Sequence, residues 1–130
     1  MSESNVDIVR ALYDAYNRRD MAAVAPYYAP DITLYQTDLV PWGGHYAGLD
    51  GAQRFVASLV QHLDSRVTME QFIPAGDRVV AVGRTAGTVR ANGNVFDVPA
   101  VHVWTLADGK VTRVEFYIDT PAMWAALGAA

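Results

Sequence analysis

Apolar residues recur at steps of three or four at the start of the chain, where Val6, Val9, Leu12, Tyr13 and Tyr16 stack on one helix face. Ser4 or Asn5 is placed to cap that helix, and Asn17-Arg18-Arg19-Asp20 breaks its period. Asp20 is the expected cap of a short second helix over Met21 to Tyr28, which Pro30 ends. Ile32 to Gln36 reads as a short strand. Thr37 to Asp50 has no clear period and contains Pro41, Trp42, Gly43, Gly44, His45, Tyr46 and Gly48. Loops of that length are uncommon in compact domains and often functional. Asp50 is the expected cap of a third helix, with Phe55, Val56, Leu59, Val60 and Leu63 as its stripe.

The period then changes to two. Strands are expected over Arg66 to Pro74, with Val67, Met69, Gln71 and Ile73 on one face, and over Arg78 to Arg90, Val95 to Leu106 and Val111 to Ile118. Ala75-Gly76-Asp77, Asn92-Gly93 and Asp108-Gly109 turn the chain between them; Asn-Gly is favoured because a type I′ turn needs positive φ at both central positions. Thr120-Pro121 starts a last helix that runs to about Leu127. Helices and strands segregate rather than alternate, which predicts an α+β fold with an antiparallel sheet covered on one face by helices. A strongly curved sheet closed in this way is a cone with an interior.

Composition narrows the classes of function. The 130 residues fit one domain spanning residues 1–130, and 52% of them are hydrophobic, enough for a solid core or for the wall of a cavity. With 10 Lys+Arg against 14 Asp+Glu the net charge is -4, which disfavours a nucleic-acid partner. The absence of cysteine excludes a thiol nucleophile, a thiolate metal site and a disulfide framework. His45, His62 and His102 are widely separated and lack metal-ligand spacing, and there is no nucleotide-binding glycine loop, so neither metal nor cofactor is expected. Met1 to Asn5 is polar, and no apolar run approaches the roughly 20 residues that span a bilayer. A soluble, cytoplasmic protein with no membrane partner is the expectation.

Several stretches resemble the nuclear transport factor 2-like (NTF2-like) superfamily, the cone fold of ketosteroid isomerase, limonene epoxide hydrolase, scytalone dehydratase and SnoaL-type polyketide cyclases. They are Val9 to Asp20 (VRALYDAYNRRD), Tyr28-Ala29-Pro30-Asp31, Tyr46-Ala47-Gly48 and His102 to Gly128 (HVWTLADGKVTRVEFYIDTPAMWAALG). The SnoaL-like branch is the nearest, judged from the histidine six positions before Asp108-Gly109-Lys110 and the aspartate eleven after Asp108. The resemblance implies a hydrophobic cavity and common dimerisation, but fold alone does not assign function. Its catalytic patterns do not transfer whole. The ketosteroid isomerase tyrosine, base and oxyanion acid fall on Leu12, on Gln36 and near Val101. Arg84 matches the arginine of limonene epoxide hydrolase, whereas the flanking aspartates fall on Ala86 and Phe116. His102 matches a SnoaL cavity histidine, while the acid/base aspartate falls on Phe116.

With the resemblance fixing the inward face, parity places Val80, Val82, Arg84, Ala86 and Thr88 inside, together with Ala100, His102, Trp104, Val114, Phe116 and Ile118. Val101, Val103, Arg113, Glu115 and Tyr117 then form an outer face suited to a homodimer. His102 is the candidate general acid/base, because its ordinary pKa lies near working pH; the alternative is a hydrogen-bonded core residue. Asp38 is a competing base at the cavity mouth, or a solvated loop residue, and the register of the first strand leaves open whether Gln36 or Asp38 faces inward. Arg84 is a candidate for stabilising negative charge; buried, it needs a partner such as Asp38 or Asp119. Asp119 either caps the last helix or reaches the cavity. Tyr16, Tyr35, Trp42, His45, Tyr46, Trp104 and Phe116 are candidate walls for a flat, apolar ligand, or plain core. The expected function is cofactor-independent acid/base chemistry (isomerisation, cyclisation, dehydration or epoxide opening) on a hydrophobic oxygenated ring. The alternative is a non-catalytic ligand-binding or dimerisation module.

Overall fold

Ser4 begins the first helix as the sequence predicts: its hydroxyl accepts from the Asp7 N–H at 3.1 Å, and α1 runs Asn5–Asn17 with Val9, Leu12 and Tyr13 buried. The computed structural model describes residues 4–128, so the polar Met1–Glu3 lies outside the described residues. Asn17 closes α1 with its side chain, which donates to the Val67 carbonyl (2.7 Å) and accepts from the Val67 N–H (2.9 Å), fixing the helix end against the sheet. Asp20 does act as a cap, accepting from Ala23 N–H, but the expected second helix is two short 3-10 turns, Met21–Ala23 and Ala25–Tyr27.

The remaining elements are β1 (Tyr28–Gln36), β2 (Gly44–Ala47), α2 (Gly48–His62), β3 (Leu63–Ala75), β4 (Arg78–Val89), β5 (Val95–Ala107), β6 (Lys110–Ile118) and α3 (Thr120–Leu127). Four local expectations need correction, the first being that Leu63, expected on the stripe of the third helix, instead opens β3. β1 starts before Pro30 rather than after it, and proline is tolerated there because its missing N–H falls where β1 and β6 are out of register, between Tyr28 and Thr33. The long loop contains β2, which pairs with β1 from Thr33↔Ala47 to Gln36↔Gly44. Ala47, not Asp50, is the residue at the N-cap of α2; Asp50 lies in the first turn, where its charge favours the helix dipole.

The strands form one curved, open sheet in the order β2-β1-β6-β5-β4-β3, with α1 against β3 and β4 and α2 against β1 across the concave side. The fold is therefore the expected α+β cone, with one departure from a purely antiparallel sheet: β1 and β6 are parallel, because the chain reaches the opposite edge through α2 before returning by three hairpins.

Two features of the sheet decide which side chains enter the cone. A bulge between Met69 and Gln71 flips the parity of β3, so Val67, Met69 and then Phe72 pack inward, while Gln71 and Ile73, expected on that same face, are exposed. β4 pairs with β5 as Val79↔Trp104, Ala81↔His102 and Gly83↔Ala100, which turns the odd positions of β4 inward. Val79, Ala81, Gly83, Thr85 and Val89 are the buried set; Val80, Val82, Arg84, Ala86 and Thr88 face the other way, opposite to the expected parity. Both faces of β4 are rich in small and β-branched apolar residues, so alternation alone does not choose between them.

Gly83 sits where β3 comes close. A Cβ there would lie 2.1 Å from the Thr68 carbonyl oxygen and 2.6 Å from Met69 Cα, both backbone atoms. Gly83→Ala is therefore expected to destabilise the fold by about 1–3 kcal/mol through forced backbone displacement. A urea-melt midpoint equal to the wild type would contradict this close approach.

Candidate functional site

The concave face and the helices leave a cavity of about 90 Å³ beneath α1 and α2. One bound water needs only about 10–15 Å³ measured in this way, so the space suits a small ring molecule better than isolated solvent. Leu12, Val24, Leu34, Leu59 and Met123 supply much of an apolar wall, and Trp42, Phe55, Trp104 and Phe116 supply its aromatic part. Phe55 and Phe116 stack with centroids 4.8 Å apart, and the His102 ring meets Phe116 edge-on at 4.8 Å.

His102 and Trp104 project from β5 on one face, two residues apart, and Tyr13 projects from α1 toward both. Trp104 Nε1–H donates to the Tyr13 hydroxyl at 2.8 Å, and that hydroxyl lies 2.7 Å from His102 Nδ1. An indole N–H only donates, so the Tyr13 oxygen accepts it, and the phenol proton then has Nδ1 as its acceptor. The opposite tautomer would leave a buried hydroxyl proton without a partner. The imidazole proton therefore sits on Nε2, which no described residue engages and which belongs to a side chain lining the cavity. Burial pushes the His102 pKa down to about 3, so the ring is neutral near pH 7, and burial raises Tyr13 far above an ordinary phenol.

The other polar groups of the cavity are also uncharged. The Tyr16 hydroxyl lies 2.8 Å from Ser65 Oγ, and Thr85 lines the wall from β4. Gln36, 4% exposed, faces inward, and its Oε1 accepts Trp42 Nε1–H at 3.0 Å. The first-strand register thus selects Gln36, and Asp38 is exposed in the turn beyond it. Tyr28, also on the wall, is pushed up to about 12 by burial.

Of the candidate residues, His102, Tyr16, Trp42, Trp104 and Phe116 come together on this cavity. Arg84 does not: it lies on the outer face, where Nε meets Asp97 Oδ1 at 2.6 Å, an exposed partner in place of the expected Asp38 or Asp119. Tyr35 and His45 face each other across the β1–β2 pair with centroids 4.8 Å apart, beside Tyr117 on the outer side. Asp119 caps α3 by accepting from Ala122 N–H at 3.1 Å. Tyr46 donates to the Trp42 carbonyl at 2.9 Å and so braces the cavity wall from behind. Tyr13, Tyr28, Ser65 and Thr85 are polar cavity groups that sequence reasoning did not select, and Gln36 was the alternative to Asp38 that it left open; for Tyr13 the signal was a phenol in a buried helix stripe, which needs a hydrogen-bond partner inside. Among the described residues no cluster of His, Asp or Glu is arranged to hold a metal ion, and no helix is long and apolar enough to cross a membrane.

Comparison with known proteins matches residues 9–114 to the SnoaL-like domain family. An uncharacterized protein of Mycobacterium tuberculosis is 30% identical over 95% of this chain and 98% of its own length. An NTF2-like protein of unknown function from Burkholderia pseudomallei superposes with a TM-score of 0.89 at 30% identity, covering 98% of this chain and 100% of that one. TerC, co-crystallized with polyporic acid, superposes with a TM-score of 0.86 at 29% identity over 96% of this chain and 98% of its own.

Proposed function

The chain belongs to the SnoaL-like domain family and has the NTF2-like cone fold, and from that premise we propose that its cavity binds a flat, uncharged, hydrophobic small molecule and polarises one carbonyl oxygen through His102. The observation that carries this reading is the Trp104–Tyr13–His102 chain, which leaves a neutral imidazole whose Nε2–H no described residue engages, on a side chain that lines a mostly apolar cavity. A neutral imidazole held in this way is an electrophile: it strengthens its hydrogen bond as charge develops on a carbonyl oxygen, without having to release a proton. Releasing one would draw the Tyr13 proton onto Nδ1 and leave a buried phenolate, which burial strongly disfavours. Carbonyl polarisation is common to enolisation, cyclisation and dehydration of oxygenated rings. Epoxide opening has less support, since Arg84 and Asp38, the charged groups expected to serve it, lie outside the cavity. The co-crystallization of TerC with polyporic acid supports a small-molecule role for this cone.

Binding without turnover is the second reading, favoured by one observation: no carboxylate of the described residues lines the cavity, so a proton-abstracting base is not at hand. Turnover of a β-ketone or enone, lost in His102→Leu, would decide for the enzyme.

The binding step has its own test, because Trp42 and Trp104 on the wall make tryptophan fluorescence a direct probe. Wild-type protein should bind 1-tetralone about ten-fold more tightly than tetralin, its counterpart without oxygen, which is the effect of one hydrogen bond from a buried donor. His102→Leu should remove the preference while retaining tetralin binding. Equal wild-type affinities, or a preference that survives the substitution, would refute the assignment.

A further inference from the structure

Gln36 is a further side chain of the cavity with an unspent donor, beside the Tyr28 and Thr85 hydroxyls, and the only amide among them in the described residues. Its amide orientation is fixed, because Trp42 Nε1–H only donates and therefore meets Oε1, leaving the NH2 on the opposite side. Among the described residues nothing accepts from that NH2, although the residue is 4% exposed and lines the cavity. The NH2 is not sealed in the core but open to the cavity, so it is available to an acceptor on a ligand or to water.

The sheet register places this donor relative to His102. Gln36 of β1 pairs with Phe116 of β6, and Phe116 pairs with His102 of β5, so the three stand in one row across the inner face. Adjacent strands are about 4.8 Å apart, which sets the two donor-bearing residues roughly 9–10 Å apart at the backbone with Phe116 between them. Neither donor carries charge, and neither has a carboxylate or cationic neighbour on the cavity wall.

We propose that Gln36 and His102 form a two-point donor clamp, and that the ligand class is a flat ring system carrying acceptor oxygens on two opposite edges, of the quinone or diketone type. The clamp rests on the carbonyl-binding role of His102 and adds a second, independent contact. It selects against a ligand with one oxygen, which leaves the Gln36 amide unpaired, and against a carboxylate, which would enter a cavity without a countercharge.

The test compares 2,3-dihydro-1,4-naphthoquinone (the quinone) with 1-tetralone, which share a bicyclic skeleton and differ only in a carbonyl at C4 where tetralone has a methylene. Wild-type protein should bind the quinone about ten-fold more tightly by tryptophan quenching. Gln36→Leu should bring the quinone down to the tetralone level and leave tetralone unchanged. Because this substitution also frees the Trp42 N–H, a measurement on the unaltered protein stands beside it: the Gln36 side-chain NH2 resonances should move on adding quinone and stay in place on adding tetralone. Equal wild-type affinities, equal losses of both ligands in Gln36→Leu, or static Gln36 amide resonances would overturn the clamp. The carbonyl role of His102 is judged separately, by the tetralone and tetralin pair, so either proposal can fall alone.

Discussion

Tyr13→Phe should lower the stability of the protein by about 2–5 kcal/mol, far more than the loss of one hydroxyl from a surface position. The aromatic ring is retained, so the effect isolates the oxygen. That oxygen serves two buried groups: it accepts from Trp104 Nε1–H, and its proton meets His102 Nδ1. Trp104 is 4% exposed and His102 6%, so water does not readily replace the missing hydroxyl. Each buried polar group left unpaired costs about 1–3 kcal/mol, and here two are orphaned together. The comparison variant is Tyr16→Phe, whose hydroxyl lies 2.8 Å from Ser65 Oγ alone; it should cost about 1 kcal/mol. Urea midpoints at unchanged m-value give both numbers. A Tyr13→Phe loss no larger than that of Tyr16→Phe would mean that the three-residue chain does not hold as described. Ligand binding should suffer as well, because without the phenol proton on Nδ1 the imidazole loses the restraint that keeps its own proton on Nε2.

The second large effect is a dependence of stability on pH below neutrality. Burial holds His102 at about 3 in the folded protein, below the 6.5 of an ordinary histidine. The unfolded chain therefore takes up a proton at this side chain as the pH falls through 6.5, while the folded one stays neutral until about 3. Stability is at its full value above 6.5 and is lost progressively between those two limits, by up to about 1.4 kcal/mol for each pH unit from this residue alone. Carboxylates also titrate in the lower half of that window, so the informative quantity is a difference. His102→Gln removes the titrating group and keeps a polar side chain beside Tyr13. Its stability should fall less steeply between pH 6 and pH 4, about 1 kcal/mol per unit less than the wild type. Parallel stability-versus-pH curves for the two proteins would show that His102 is not held neutral by the fold.

Both predictions concern residues whose positions the sequence made partly visible. The inward run of β5, Ala100, His102 and Trp104, is legible because the strand alternates with exposed Pro99 and Val101; the Asp108-Gly109 turn pairs Ala107 with Lys110, but a register shift between Thr105 and Leu106 is what sets His102 opposite Phe116. β4 is where legibility failed. Its two faces carry Val79, Ala81 and Val89 against Val80, Val82 and Ala86, and hydrophobicity does not rank them. Two signals in the sequence pointed to the observed parity. A two-residue turn at Asn92-Gly93 pairs Ala91 with Asn94 and therefore odd positions of β4 with even positions of β5; the observed loop is longer, with Val89 opposite Asn94, but keeps that parity. Placing Arg84 inside also required a buried countercharge, whereas the outer face offers Asp97 two residues diagonally across on the neighbouring strand.

The sequence by itself determined the α+β class, the order of nearly all elements, the family resemblance and the entry of His102, Trp42, Trp104 and Phe116 into the interior. The class and the element order follow from periodicity and turn chemistry, which act over a few residues and leave their mark locally; the inward face of the strands and the place of Trp42 came from the family resemblance. The tertiary structure decided the chemistry of the interior. Tyr13 reaches His102 and Trp104 across 89 and 91 positions of chain, Gln36 rather than Asp38 turns inward because β1 ends at Gln36 and the chain turns away before Asp38, and the Met69/Gln71 bulge reverses half of β3. Such contacts depend on register and curvature, which no local pattern encodes. The outcome is a cavity whose polar groups are neutral, where the charged residues Arg84, Asp38 and Asp119 had been expected to contribute.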